Sequence, residues 1–154
     1  MMNTQEPTKP QSAAWLKKDF AYFETITLRW ADNDAYGHIN NAHYYSFFDT
    51  AVDGFLLEHQ LRPMISGQYQ TLVVASECRY FSQVSAPGII RVGVRLGRLG
   101  RSSTAYEVAV FTDQAPEAAA QGLFVHVCVE KDSQRPVQTP EEFRRAIQAL
   151  ALGQ

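Results

Sequence analysis

The chain has 154 residues, 45% of them hydrophobic and 19% charged, a composition that supports one globular domain with a real core. Its 14 Lys and Arg against 16 Asp and Glu, a formal net charge of -2, give no clustered basic excess for a nucleic-acid partner. No apolar run approaches the roughly 20 residues that a membrane-spanning helix needs, and the polar, proline-bearing start MMNTQEPTKPQSAAWLKKDF lacks the apolar centre of a secretory signal.

In chain order, residues 1–14 read as a loose tail and 15–154 as a single domain. In YFETITLRW, Ile26, Leu28 and Trp30 alternate with Thr25, Thr27 and Arg29, the period-2 pattern of a half-buried strand. The polar stretch DNDAYGHINNAHYY follows, residues 32–45. From Asn41 the period changes: Tyr45, Phe48, Val52 and Phe55 or Leu56 recur at three and four, with Asp49, Asp53 and Glu58 between them. That spacing predicts a helix over 41–58, with Asn40 as N-cap and Gly54 placed for close packing.

Strands are expected next over 71–84, around Ile90, Val92, Val94 and Leu96, and around Tyr106, Val108 and Val110. In GLFVHVCVE a further strand is expected, with Leu123, Val125, Val127 and Val129 on one face. TPEEFRRAIQAL, 139–150, carries three helix-start signals: Thr139 as N-cap, Pro140 at the first position and Glu142 three residues after the cap. The result is an α+β domain in which the 41–58 helix covers one face of an antiparallel sheet. Cys78 and Cys128, 50 positions apart, read as small buried hydrophobes and give no disulfide framework or metal spacing, which makes the cytosol the simplest compartment.

The polar stretch is open to two readings. Asp, Asn and Gly are ordinary turn and cap residues. Asp34 also stands just before the start of the long helix, where unpartnered N–H groups and the helix dipole polarise a carbonyl oxygen. A carboxylate there can attack the carbonyl carbon or activate a water, and Gly37 would let the backbone come close. Carboxylate and helix-end donor together make a minimal acyl-transfer site. Asp32 is read as bonding to turn amides, His38 as a candidate to orient groups near the site, and His38 with His43 as lacking metal spacing and a third ligand. Tyr45 and Phe48 are assigned to the core, Tyr44 and Phe47 to a pocket or subunit contact. Along the later hairpin, Arg91, Arg95, Arg98 and Arg101 recur, and Arg101 with Ser102 are the candidates for binding phosphate groups.

The stretch RWADNDAYGHINNAHYYSFFDTA, 29–51, resembles the signature of the hot-dog-fold acyl-CoA thioesterases, in the branch similar to hydroxybenzoyl-CoA thioesterase. Its D-x-D, its G-H-hydrophobic-N-N and its Tyr-bearing helix carry the likeness, and the later strand order and RPVQTPEEFRRAIQAL extend it over about 20–150. The resemblance implies a hot-dog fold, a sheet wrapped around the central helix. It implies Asp34 as nucleophile or general base and the Asn41 N–H as oxyanion donor. It further implies a homodimer or homotetramer with sites at the subunit interface, acyl-CoA as substrate with Gly37, His38, Tyr44, Arg101 and Ser102 as substrate-binding candidates, and neither metal nor cofactor. Two alternatives stand beside it: a thioesterase acting on acyl carrier protein, and a non-catalytic acyl-CoA-binding module of the same fold.

Overall fold

The computed structural model describes residues 13–62 and 67–152 of the protein; most of the expected tail, residues 1–12, lies outside them. Five strands, β1 (Tyr22–Leu28), β2 (Tyr69–Tyr80), β3 (Gly88–Leu99), β4 (Ser103–Phe111) and β5 (Ala120–Glu130), form one antiparallel sheet in the order β1-β3-β4-β5-β2. Helix α1 (His43–Glu58) lies across its inner face, and α2 (Glu141–Leu152) packs against β3. This is the hot-dog arrangement expected from the sequence. No helix among the described residues is long and apolar enough to cross a membrane.

The core is the contact between α1 and the sheet. Tyr44, Phe47, Phe48, Ala51, Val52, Phe55 and Leu56 are the buried residues of α1, an unbroken i, i+3, i+4 stripe. They meet Ile90, Val92 and Val94 of β3 and Tyr106, Val108 and Val110 of β4. Gly54 serves the close approach foreseen for it, since a Cβ there would collide with the Tyr22 and Glu24 side chains of β1.

Expectations for Tyr45 and Thr139 are corrected. Tyr45 is 36% exposed and not part of the core, because the buried stripe runs through Tyr44 and Phe47, one residue round the helix. On β5, Leu123, Val125, Val127 and Val129 share one face as expected, the first three half-buried, and the opposite face carries the buried Phe124, His126 and Cys128. The register with β4 decides this: Tyr106 pairs with Phe124 and Thr104 with His126, so the even-numbered residues share the side that α1 covers. Helix α2 begins one residue later than expected, and the Thr139 hydroxyl is buried without a partner among the described residues instead of capping it; the Thr139 N–H donates to Arg101 O at 2.9 Å.

Arg91 and Arg95 are structural. Arg91 pairs with Asp113 at 2.9 Å, and Arg95 pairs with Glu107 while its guanidinium lies 4.7 and 4.6 Å from the Trp15 and Phe20 ring centres. Cys78 and Cys128 are both free.

Candidate active site

The stretch after β1 folds into two successive tight turns before α1 begins. In the first, a 3-10 turn over Trp30–Asp32, the buried Asp32 carboxylate accepts the Arg29 N–H at 2.7 Å and its guanidinium at 2.8 and 3.2 Å. Foremost among the causes, the Arg29 hydrogen bond holds the Asp32 carboxyl below the usual carboxylate range. Asp32 is thus a turn-building residue, as the sequence suggested, although its main side-chain partner is a guanidinium as well as an amide.

The second turn presents Asp34. Its backbone closes on His38, the Asp34 N–H donating to His38 O at 2.7 Å and the Gly37 N–H to Asp34 O at 3.1 Å. Gly37 holds φ +81, the left-handed region that this turn demands, and a Cβ on it would meet nothing within 4 Å. In this chain the reason for glycine is therefore backbone conformation, not crowding. Asp34 Oδ1 accepts the N–H groups of Tyr36 at 2.8 Å and His38 at 3.3 Å. One carboxylate oxygen is thereby anchored; Oδ2 has no hydrogen-bond partner among the described residues.

The turn is docked from outside by Asn33, whose side chain donates to Ala86 O at 3.2 Å and accepts the Ala86 N–H at 2.9 Å, while the Ile39 N–H donates to Val84 O at 2.7 Å. This brings the Ser82–Val84 segment over Asp34. Asn40 is not the N-cap expected of it: α1 starts at His43 with Ala42 as its N-cap and no side-chain cap bond, and Asn40 makes a turn just before it, its Oδ1 accepting the Ala42 N–H at 3.0 Å and its carbonyl the His43 N–H at 2.9 Å. Among the described residues the Asn41 N–H donates to nothing, while the Asn41 carbonyl accepts the Tyr80 hydroxyl at 3.1 Å.

Asp34, His38, Asn41, Tyr44, Tyr80 and Val84 are among the walls of one cleft of about 190 Å³. The Tyr44 and Tyr80 rings meet edge to face at 5.1 Å. Burial pushes the Tyr44 phenol up to about 12, and burial with the neighbouring Cys78 raises Tyr80 above the ordinary range, so both remain neutral donors near pH 7. Four of the expected site residues, Asp34, Asn41, His38 and Tyr44, therefore meet in one place, with Gly37 in the turn that shapes it. Arg101 and Ser102 do not join them within one chain. They occupy the β3–β4 turn, at the opposite end of β3 from the Leu28–Gly88 pair that borders the site, and the Ser102 carbonyl accepts the Cys128 N–H at 2.7 Å. No group of three His, Cys, Asp or Glu side chains among the described residues is arranged to hold a metal ion.

Tyr80 and Asn33 escape sequence reasoning. Tyr80 lies 46 positions beyond Asp34 at a strand end, and Asn33 looks like one more turn residue until its partner at Ala86 is known.

Comparison with known proteins bears on this cleft. The family model described as the thioesterase-like superfamily matches residues 28–147. The crystal structure of the PA5185 protein from Pseudomonas aeruginosa strain PAO1 is 48% identical, with TM-score 0.83, over 88% of this chain and 94% of that one. A thioesterase from Thermus thermophilus, solved in complex with coenzyme A and zinc, is 31% identical over 86% of this chain and 95% of its own, with TM-score 0.72. The YsmA protein of Bacillus subtilis (strain 168) is 24% identical over 131 residues, 85% of this chain and 88% of its own.

Proposed function

The chain belongs to the thioesterase-like superfamily and is a thioester hydrolase, and from that premise we propose that it cleaves an acyl-CoA to the free carboxylic acid and CoA. The observation that carries this reading is the meeting on one small cleft of Asp34 Oδ2 and the Asn41 N–H, each without a partner among the described residues. A thioester carbonyl oxygen at Asn41 would accept that N–H and gain stabilisation as it becomes an oxyanion; one such preorganised donor is worth roughly 3 kcal/mol. Asp34 Oδ2 then adds to the carbonyl carbon, giving on loss of CoA a mixed anhydride that a water hydrolyses to the free acid and the regenerated carboxylate, or it takes a proton from a water that adds instead and yields the acid directly. Either way the C–S bond breaks and CoA leaves as the thiolate, to be protonated by solvent. Because a thioester is already activated, a carboxylate and one amide donor suffice, and we propose no resident metal or cofactor.

A second copy of the chain is part of the proposal. β2 is an edge strand, and its Leu72, Val73 and Val74 are exposed, Val74 at 59%. Exposed apolar edges are seldom left uncovered. A two-fold pairing of β2 with β2 would be antiparallel and self-complementary. It would set the Tyr69 end of one sheet, where the Arg101–Ser102 turn lies, beside the Tyr80 end of the other, where the cleft opens. Those two residues then serve as phosphate ligands for CoA bound at the neighbour's cleft, in keeping with the ligand of the Thermus relative. The two free cysteines suit a reducing compartment, for which we propose the cytosol.

Release of free CoA thiol from short, medium, long-chain and aromatic acyl-CoAs, with an acyl-carrier-protein thioester in parallel, tests the reading. Turnover of acyl-CoA is expected, with its loss in Asp34→Asn. Preference for the carrier-protein substrate would favour the carrier-protein alternative, and tight acyl-CoA binding without any turnover would make the protein a binding module.

A further inference from the structure

The run that carries Asp34 and Asn41 is held by a second segment, residues 80–86, to which the reaction above assigns no role. The Tyr80 hydroxyl donates to Asn41 O at 3.1 Å, and the Ile39 N–H donates to Val84 O at 2.7 Å. The Asn33 amide closes on Ala86 from both sides, its Nδ2 donating to Ala86 O at 3.2 Å and its Oδ1 accepting the Ala86 N–H at 2.9 Å. This second segment is itself rooted in the sheet. Tyr80 pairs with Ala120 at the end of β2, and the Phe81 and Ser82 N–H groups donate to Ala119 O at 2.8 and 3.1 Å. The Ala119 N–H in turn donates to Val110 O of β4 at 2.8 Å.

Each clamp grips next to a reacting group. Asn33 adjoins Asp34, so its hold on Ala86 fixes the backbone from which the carboxylate projects. The Tyr36 and His38 N–H bonds orient that carboxylate only relative to its own turn; where the turn stands against the start of α1 is left to contacts such as the Asn33 clamp. On the other side, the Asn40 carbonyl shares a peptide plane with the Asn41 N–H and accepts the His43 N–H at 2.9 Å. The Asn41 carbonyl accepts the Tyr80 hydroxyl, and the Tyr44 N–H at 3.4 Å. The donor is therefore tied on both flanks.

A carboxylate and an oxyanion donor cooperate only at the right separation, and a displacement of about 1 Å can cost about a hundredfold in rate. Resting on the thioesterase reading above, we infer that Asn33 and Tyr80 are positioning residues, one acting through Asp34 and the other through the Asn41 N–H, so that the sheet-rooted 80–86 segment sets the spacing of the two reacting groups. In this role both side chains grip backbone, and their loss slows the chemical step without weakening the hold on substrate.

The test measures the single-turnover rate and KM for acyl-CoA hydrolysis on the full chain, per folded molecule and well below each variant's melting midpoint. Tyr80→Phe keeps the ring that walls the cleft and removes only the hydroxyl; its rate is expected to fall about tenfold with KM within about twofold of the parent. Asn33→Ala loses both bonds to Ala86, and the expected fall is about fiftyfold, again with KM within about twofold. If Asn33→Ala does not fold, Asn33→Ser makes the same comparison. Val94→Ala supplies the structural control: Val94 is fully buried and pairs with Tyr22, at the end of β1 remote from the cleft. It should lower the melting midpoint and leave the rate per folded molecule where it was. A parental rate in either the Asn33 variant or Tyr80→Phe overturns this inference and leaves the thioesterase reading intact. So does a raised KM at unchanged rate, the mark of a substrate contact, or an equal loss of rate in Val94→Ala. A parent that hydrolyses no thioester overturns both.

Discussion

The cleft around Asp34 and a second hollow, of about 770 Å³ and bordered by His126, lie along the same helix but are made in opposite ways. The cleft's reactive groups come from one run of residues, 34–44, shaped by short-range hydrogen bonds such as Tyr36 N–H and His38 N–H to Asp34 Oδ1 and docked by a few long-range ones, such as Ile39 N–H to Val84 O. The hollow is assembled from residues spread from Asp49 to His126, on α1, β2, β5 and the segment after α1, which long-range packing brings together. The first is small, its reactive groups presented by a turn; the second is larger and borders the buried His126. Local hydrogen bonding builds the reactive turn, and long-range packing shapes the hollow.

The most severe way to break this comparison is to remove what both regions share. Phe48 of α1 is fully buried against the sheet. Phe48→Ala is expected to cost about 3–5 kcal/mol through lost burial and the cavity left behind, lowering the denaturant midpoint and disabling cleft and hollow together.

A second perturbation separates them. Burial lowers the His126 pKa to about 4, so the folded state prefers the neutral ring. An unfolded histidine titrates near 6.5. Stability from this group is therefore fully present above pH about 6.5, and is lost as pH falls toward 4, amounting to on the order of 3 kcal/mol. Urea midpoints measured between pH 7 and 4 should fall more steeply for the parent than for His126→Asn, with Tyr106, Phe124, Asp49 and Asp53 as the groups about the ring or its hollow. Asp32 acts in a lower window: its folded carboxyl is held down by Arg29, so its stabilisation is present above the ordinary carboxylate pKa and disappears only as pH falls through the depressed one.

Much of the fold was legible in the sequence, and the reasons are local. The α1 stripe follows from helical spacing, and β3 and β4 follow from strict alternation of Ile90, Val92 and Val94 and of Tyr106, Val108 and Val110. The Asp34 cleft was legible because its anchors are near neighbours. The sequence leaves open which face of β5 turns inward, because both alternate: Leu123, Val125 and Val127 as well as Phe124, His126 and Cys128. Only the pairing of Thr104 with His126 decides which face turns inward, and pairing is a long-range property. His126 was hidden for that reason. Tyr45 misled by a single position on α1, since the helix begins at His43 and its buried stripe includes Tyr44. The Thr139 cap failed because tertiary contacts drew its N–H to Arg101 and its hydroxyl inward.

Smaller effects sharpen the comparison on the cleft side. Gly37→Ala forces a side chain into φ +81 with no clash to worsen it, so the expected cost is about 1–2 kcal/mol. Turnover should fall through displacement of Asp34; melting curves and release of CoA thiol check the two halves. Smallest is Arg101→Ala, expected to raise KM for acyl-CoA a few-fold by removing one phosphate contact, with kcat and melting temperature unmoved. Pantetheine thioesters lacking the nucleotide should not register the change.

The most direct test compares the two carboxylates of the same motif. Asp32 is buried and held by Arg29, whereas Asp34 faces the cleft with one oxygen unpartnered. Release of CoA thiol from the best acyl-CoA, expressed per folded molecule, should fall about a thousandfold in Asp34→Asn. Asp32→Asn should retain turnover within about tenfold of the parent and show its loss in acid stability instead. Near-parental hydrolysis by Asp34→Asn, on every thioester the parent accepts, would contradict the account and return the Asp34 turn to a purely structural role.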